Sequence, residues 1–395
     1  MAEVPAMLYR ILTLNNISPR GLERLPPERY QVGPEVRQPD AILLRSTPLQ
    51  VQAIAPSVRA IGRAGAGVNN VPVAAMSARG VPVFNSPGAN ANAVKELVLA
   101  GLLLAARNLA PAWLFARALS GDDAAIDAAV ERGKKQFTGF ELPGRTLGVV
   151  GLGAIGVEVA NSALALGMQV LGYDPQITVQ RAWQLASSVE QARSLEDLFT
   201  RADAITVHVP LNAATTHLVS AARLALMKPG GTLLNFARAA IVDDAAVVGA
   251  LDAGQLHGYV CDFPNNTLKD HPRVVTLPHL GASTGEAEEN CAIMVAEQLR
   301  DFLENGNVRN SVNYPEAVLP RVPGTTRLAI ANSNVPNMVG QISTCLAVHR
   351  INIADLLNKS RGEFAYTLID ADGPVDERLL TEIRAIEGVL SARIV

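Results

Sequence analysis

The run Gly144–Asp174, GRTLGVVGLGAIGVEVANSALALGMQVLGYD, decides how the rest of the chain is understood. Thr146 to Val150 is a short apolar run, the pattern of a strand buried on both faces of a parallel sheet. Gly151, Gly153 and Gly156 follow as G-x-G-x-x-G. In such a turn the first glycine makes the tight bend, the second lets a pyrophosphate approach the backbone, and the third lets the next helix pack on the strand. The N–H groups and dipole of that helix then face the anion. Met168 to Tyr173 has the pattern of a second strand, and Asp174 closes it, 23 residues after Gly151. The acid that hydrogen-bonds a ribose 2′-hydroxyl is expected roughly 20 residues on. Glycines alone mark only a tight turn; strand, turn, helix, strand and acid in succession imply a bound dinucleotide. A carboxylate at 174 repels a 2′-phosphate, so NAD is the expected cofactor.

The chain has 395 residues, 49% hydrophobic and 18% charged, which describes a globular protein of two or three domains with ample core. A formal net charge of −3 gives no pointer to nucleic acid or to an anionic membrane, and neither is expected as a partner. Cys261, Cys291 and Cys345 are odd in number and widely spaced, which fits small buried residues in a reducing cytoplasm. No metal site is expected. The N-terminal run MAEVPAMLYRILTLNN lacks the layout of a secretory leader, and no apolar run reaches membrane-spanning length.

Before residue 144, short apolar runs alternate with turn signals: MLYRILTLN, AILLRS, VRAIGRAGAG and VPVFNS each hold a candidate strand. Helical stretches at Leu49–Ala55 and Val73–Arg79 lie between them, so a parallel sheet with helices on both faces is expected. Two loops sit at predicted strand ends, where such sheets place ligands. One is Arg45-Ser46-Thr47; the other runs from Arg63 through Gly65, Ala66, Gly67 and Val68, small residues whose amides suit an anion nest. Equally, the glycines could serve a turn and the arginines be solvated. Val94 to Ala118 is expected as one long helix, after asparagines able to cap it. Lys134 and Lys135 follow in a charged stretch that is either a solvated face or a set of phosphate contacts.

After Asp174 the αβ alternation continues, with strands expected at Ala204–Val209, Gly231–Phe236, Gly258–Cys261 and Val274–Leu277. A long helix from Glu286 to Glu304 should return to the first domain and make it discontinuous. Proline-rich Ser311 to Gly324 has the composition of a linker. Beyond it the order strand, helix, strand, strand, helix, strand is ferredoxin-like. No catalytic constellation is visible there, which favours ligand sensing.

Oxidation of a 2-hydroxy acid needs a cation for the carboxylate and a group titrating near neutrality for the hydroxyl proton. Arg238, at a strand end, offers a permanently charged, bidentate fork. Among six histidines, His279 is the best acid–base candidate because it sits in a glycine-containing loop after a strand. His208 also follows a strand but precedes Pro210 by two positions, which suits a structural or cofactor-lining role better.

The runs ARAGAGVNNVPV, VFNSPGANANAVKELVLAGLLLAAR, GLGAIG with GYDP, VHVPL, NFARAAIVDD and LPHLGAST resemble the D-isomer-specific 2-hydroxy-acid dehydrogenases. The resemblance covers nearly the whole chain. It implies a flavodoxin-like substrate-binding domain (1–92 and 284–315), a Rossmann NAD-binding domain (93–283) and a C-terminal ACT regulatory domain (322–395). It further implies Arg238 as the substrate-orienting arginine, His279 as the acid–base, and Gly65–Val68 as the carboxylate nest. Arg45 and Arg63 match positions that hold a phosphorylated substrate, here 3-phospho-D-glycerate oxidised to 3-phosphohydroxypyruvate. Ala154, Ile155, His208, Val209, Pro210, Phe236, Ala237, Gly281 and Ala282 fall where the family touches NAD. Asn332, Asn334 and Asn352 fall where some relatives bind L-serine, although position 332 is often histidine there. A homodimer or homotetramer is the implied assembly. The Leu- and Ala-rich helix after Val94 reads equally as a dimer contact or as a buried core helix.

One departure stands out. The family usually has Asp-Val-Phe-x-x-Glu, its glutamate paired with the catalytic histidine, where this chain has Cys261-Asp262-Phe263-Pro264-Asn265-Asn266. Asn266 can orient an imidazole but cannot stabilise its charged form as a carboxylate does. Asp262 is expected to take over the nicotinamide contact, and Asp262 or Asp270 to support His279. Two other readings stay open: a dehydrogenase of an unphosphorylated 2-hydroxy acid, and a weakly catalytic NAD-sensing protein. The presence of both Arg238 and His279 weighs against the latter.

Overall fold

The structure is a computed structural model and describes residues 8–395. The interpretation of the N-terminal run at positions 1–7 lies outside the described residues. The chain separates into two compact units, one formed by the residues up to Asn90 with Gly285–Val395, the other by Ala91–Thr284.

The first unit opens with strands β1 (Tyr9–Leu14), β2 (Tyr30–Gly33), β3 (Ala41–Leu44), β4 (Ala60–Arg63) and β5 (Val83–Phe84). They form a parallel sheet in the order β2-β1-β3-β4-β5, the flavodoxin-like order. Successive side chains enter opposite cores: Ala41, Leu43, Ala60 and Phe84 on one face, Ile42, Leu44, Ile61 and Val83 on the other. This two-sided burial explains the near-continuous apolar runs. The sequence signal missed β2, whose four residues Tyr-Gln-Val-Gly alternate too briefly to register. The helix expected at Leu49–Ala55 is a single 3-10 turn, Val51–Ala53. The helix Gly285–Asn305 belongs to this unit and packs against β4, where a Cβ at Gly62 would lie 2.7 Å from Val295 Cγ2.

The second unit holds β6 (Thr146–Val150), β7 (Gln169–Tyr173), β8 (Glu190–Gln191), β9 (Ala204–Val207), β10 (Gly231–Asn235), β11 (Leu256–Cys261) and β12 (Val274–Thr276). Its parallel sheet runs β12-β11-β10-β9-β6-β7-β8. The chain winds outward from β6 to β8, then returns to β9 on the other side of β6. This reversal creates the topological switch point at which doubly wound sheets bind dinucleotides. The long helix expected over Val94–Ala118 is two helices, Ala91–Ala106 and Leu109–Arg117, bent by 67°. Asn108 makes the break in the left-handed region, φ +50°. Among the described residues no single helix is long and apolar enough to cross a membrane.

The first unit is completed by β13 (Thr326–Ser333), β14 (Asn352–Arg361), β15 (Phe364–Asp372) and β16 (Val389–Ile394), an antiparallel sheet ordered β14-β15-β13-β16. With helices Met338–Val348 and Glu377–Arg384 it makes the expected βαββαβ module. Leu328, Ile330 and Ile369 face those helices. Ala329, Ala331, Tyr366 and Leu368 join instead the core of the five-stranded sheet, beside Phe302 and Tyr314. The segment expected as a linker is therefore structured: Tyr314 and Ala317 are fully buried, and Tyr314 donates to Ser77 O at 2.7 Å. Its first part, 311–319, packs into the core, whereas Pro320, Arg321, Pro323 and Gly324 are exposed.

Candidate active site

In the second unit the cofactor-binding and catalytic candidates follow the carboxyl ends of strands: Gly151–Gly156 after β6, Asp174 after β7, His208–Pro210 after β9, Phe236–Arg238 after β10, Asp262 after β11 and His279–Ala282 after β12. Two of the three glycines are demanded by the chain itself. Gly151 has φ +91°, and a Cβ there would lie 2.7 Å from His208 O; a Cβ on Gly156 would run into Gly151 O. The loops after β6 and β9 thus touch at the switch point. Gly153 differs, since a Cβ there would meet nothing within 4 Å. Its small size suits a ligand, as the fingerprint requires of this position. Gly153 caps the helix Ala154–Ala165 without a side-chain hydrogen bond, which leaves the helix amides directed at that open space.

Asp174 Oδ2 accepts from Leu152 N and Oδ1 from Gln176 N, both at 2.9 Å. The carboxylate is held in place, with lone pairs remaining for ribose hydroxyls. His208 Nε2 lies 2.9 Å from Thr206 Oγ1, while Nδ1 is buried with no partner among the described residues. Burial pushes its imidazole down to about 3, so the ring is neutral at physiological pH. An orphaned buried ring nitrogen beside the glycine turn fits a site completed by a ligand. Phe236 is a correction: its side chain is buried in the core against Gly101, so only its backbone is placed to meet a cofactor.

Arg238 is exposed, with Nη1 donating to Ala237 O at 2.6 Å. The turn that presents it is built on Asn235, a fully buried side chain the sequence reading passed over. Its amide donates to Arg238 O at 2.9 Å and accepts from Ala237 N at 3.0 Å. A polar residue ending an otherwise apolar strand was the available signal.

His279 is exposed, has φ +56°, and stands edge-on to Phe263 with ring centroids 5.4 Å apart. A non-glycine residue holds that conformation when its surroundings over-determine it. Asp262 does so. Buried at 1% exposure, it accepts from Leu280 N at 2.7 Å and Gly281 N at 2.8 Å. This corrects its expected part: Asp262 supports His279 through the backbone of the next two residues, and both its oxygens are engaged there. Asn266 is exposed, and among the described residues no hydrogen bond links it to His279. Asp270 pairs with Lys269 at 2.7 Å. Asn265 instead shapes the local turn, donating to Asp244 at 2.7 Å and accepting from Thr267 N at 2.9 Å.

In the first unit, Arg45, Arg63 and Gly65 form one cluster. Arg63 Nε donates to Arg45 O at 2.9 Å, and a Cβ on Gly65 would run into the Arg63 guanidinium. Asn15 Oδ1 accepts from Ser46 N and Thr47 N at 3.0 and 2.8 Å and so fixes the Arg45 loop. Of the expected nest, Gly65 N is already given to Ser86 Oγ at 3.3 Å, whereas the amides of Ala66, Gly67 and Val68 have no partner among the described residues. Arg45 meets Glu288 at 2.6 Å. Lys134 and Lys135 are exposed on the second unit, with Lys134 paired to Glu131 at 2.6 Å. In the C-terminal module Asn332 is fully buried and donates to Ser333 O at 2.8 Å; Asn334 donates to Gly362 O at 2.9 Å; Asn352 is exposed at the start of β14.

Residues 109–281 match the NAD-binding domain of the D-isomer specific 2-hydroxyacid dehydrogenases. A D-3-phosphoglycerate dehydrogenase of Haemophilus influenzae is 34% identical over 86% of this chain and 82% of its own length. The chain belongs to the D-isomer specific 2-hydroxyacid dehydrogenases. A second D-3-phosphoglycerate dehydrogenase, from Synechocystis, is 39% identical over 70% of this chain and 49% of its own length. The TT0316 protein of Thermus thermophilus is similar in structure, with a TM-score of 0.63 and 29% identity over 77% of this chain and all of that one. As a 2-hydroxyacid dehydrogenase the chain is an NAD-dependent oxidoreductase, which the glycine turn, Asp174 and the free helix amides independently suit.

Proposed function

We propose that this dehydrogenase oxidises 3-phospho-D-glycerate to 3-phosphohydroxypyruvate, the opening step of phosphorylated L-serine synthesis, in the cytoplasm. The observation that carries the reading is its 34% identity to a D-3-phosphoglycerate dehydrogenase over 82% of that protein. In this reading Arg238 holds the substrate carboxylate and polarises the C2 oxygen, because a guanidinium stays charged and binds bidentately. His279 removes the C2 hydroxyl proton. Bound NAD supplies the hydride acceptor. Arg45, Arg63 and the amides of Ala66–Val68 are the anion-binding groups of the first unit. The amide set and the exposure of Arg238 and His279 support these roles.

The test is spectrophotometric NADH formation with 3-phospho-D-glycerate, D-glycerate and D-lactate. The phosphorylated acid should give the highest kcat/KM by about 100-fold, the loss expected when buried polar groups go unpaired. Equal or better turnover of an unphosphorylated acid would favour a second reading, which one observation supports: Arg45 and Lys134 already hold Glu288 and Glu131. Absence of turnover with all three acids would overturn both.

The C-terminal module is in this view an ACT domain that binds L-serine or another amino acid, with Asn334 and Asn352 accessible and Asn332 engaged internally. A homodimer or homotetramer would cover Trp113 and Leu114, both about 60% exposed on the helix Leu109–Arg117.

A further inference from the structure

Within the first unit a cavity of about 400 Å3 lies where the β4–β5 segment meets the C-terminal module. Four arginines line it, Arg59 and Arg79 from that segment and Arg384 and Arg393 from the module, and no carboxylate does. Two of the four find an acid outside the wall. Arg384 meets Glu377 at 2.6 Å; Arg59 reaches Asp40 at 3.6 Å, an acid that also faces Arg10 at 3.9 Å. Arg79 and Arg393 have no carboxylate partner among the described residues. Arg79 donates to the carbonyl oxygens of Ile54 and Ala55. Arg393 donates to those of Leu303 and Phe302 and lies 4.4 Å over the Phe302 ring.

Carbonyl partners satisfy N–H groups without cancelling charge, and charge withdrawn from water is costly when nothing opposes it. The Arg393 guanidinium is accordingly pushed below its ordinary range, by burial first and then by the like charge of Arg59, Tyr366 opposing the shift. The two nearby hydroxyls are spent: Ser391 donates to Gly80 O and Tyr366 to Gly306 O, both at 2.9 Å. Each guanidinium has five N–H donors in a fixed fork, so Arg79 and Arg393 keep donors beyond the carbonyls they serve. Val58, Val81 and Leu390 supply an apolar wall. The volume falls within the roughly 300–1,000 Å3 of small-molecule sites.

We propose that this cavity binds a small organic dianion, a dicarboxylate or a phosphate monoester. The dianion neutralises Arg79 and Arg393 and fastens the C-terminal module to the β4–β5 segment. The site shares no residue with the dehydrogenase machinery, and the inference is independent of the substrate assigned above.

Isothermal titration of the full chain with inorganic phosphate and with succinate, against chloride at matched ionic strength, tests it. One of the two should bind once per chain and raise the unfolding temperature, because a ligand specific to the folded state stabilises it by mass action. Phosphate binding more tightly assigns the monoester, and succinate the dicarboxylate. Arg393→Met should weaken binding roughly tenfold or more, the effect of losing a charge-assisted hydrogen bond. Pro56→Glu places a carboxylate at the cavity wall without removing a guanidinium, should weaken binding comparably, and decides the matter if Arg393→Met fails to fold. Binding by neither anion, affinities unchanged in the variants that fold, or a response matched by chloride would overturn the proposal.

Discussion

Asp262 shows how a residue acts at a distance of one peptide. Its carboxylate accepts from Leu280 N and Gly281 N and so holds His279 at φ +56°. Asp262→Ala strands two amide donors and should cost about 1–3 kcal/mol of stability. Because misplacing a reacting group by about 1 Å can cost roughly 100-fold, kcat should fall by that order. Asp262→Asn, which keeps one acceptor, should recover part of both; a normal kcat in Asp262→Ala would remove the positioning role. His208 gives a second prediction at this scale. Its folded value of about 3 lies below the ordinary 6.5, so between them the unfolded chain binds a proton that the native chain refuses. Stability therefore falls as pH drops from about 6.5 toward 3, by up to about 1.4 kcal/mol per pH unit from this group. In His208→Gln the acid limb should be shallower by that slope, as measured by denaturant midpoints across the range. The identities of Arg238 and His279 as candidates were legible in the sequence because both follow strands. Asp262 was not legible in this part, because a hydrogen bond to a backbone 19 residues away leaves no local pattern. Asn235 bonds only two and three residues on, and its signal, a polar residue ending an apolar strand, was there to be read.

At the scale of elements, the strand–turn–helix around Gly151 was legible in full, since a buried strand, a tight turn and helix packing each constrain residue type locally. The helix after Ala91 was not. Its apolar composition continues past Ala106, yet the chain turns at Asn108, whose amide donates to Thr138 O at 3.3 Å. The reason is tertiary: Phe140 N donates to Ala106 O at 2.8 Å, and Gly139 passes so close that a Cβ there would run into Ala106 O. A helix continuing straight would need that carbonyl for its own ladder. Asn108→Val, which resists positive φ, should destabilise the second unit by about 1–2 kcal/mol, whereas Asn108→Gly should be tolerated. Thermal unfolding of the two variants checks the order, and equal melting temperatures would show that the bend does not depend on residue 108.

For the whole molecule, the decisive feature is that the C-terminal module shares a core with the five-stranded sheet. At that junction Arg327 and Asp370 are both fully buried and paired through two bonds of 2.7 Å, while Arg327 also donates to the carbonyl oxygens of Leu319 and Pro320. Burial alone would raise the Asp370 carboxyl, but the Arg327 hydrogen bonds and the Val322 amide hold it below its ordinary range. That stabilisation is present at neutral pH and is lost as acid protonates the folded carboxylate. Arg327→Met leaves Asp370 buried without a counter-charge and should cost about 3–5 kcal/mol, a loss to be seen in the denaturant midpoint of the full chain. A loss below about 1 kcal/mol, the range of exposed pairs, would mean that the pair is not shielded from water.

Local chemistry sufficed for the dinucleotide turn, for most strands of the parallel sheets and for the βαββαβ order, because each rests on residue types recurring at a fixed spacing. The tertiary structure alone decided that residues 311–319, the first part of the proline-rich stretch, are packed into the core. It also decided that Asp262 anchors a loop, and that four arginines far apart in sequence face one cavity. Burial and charge balance depend on what the rest of the chain brings alongside, and that information has no period in the sequence.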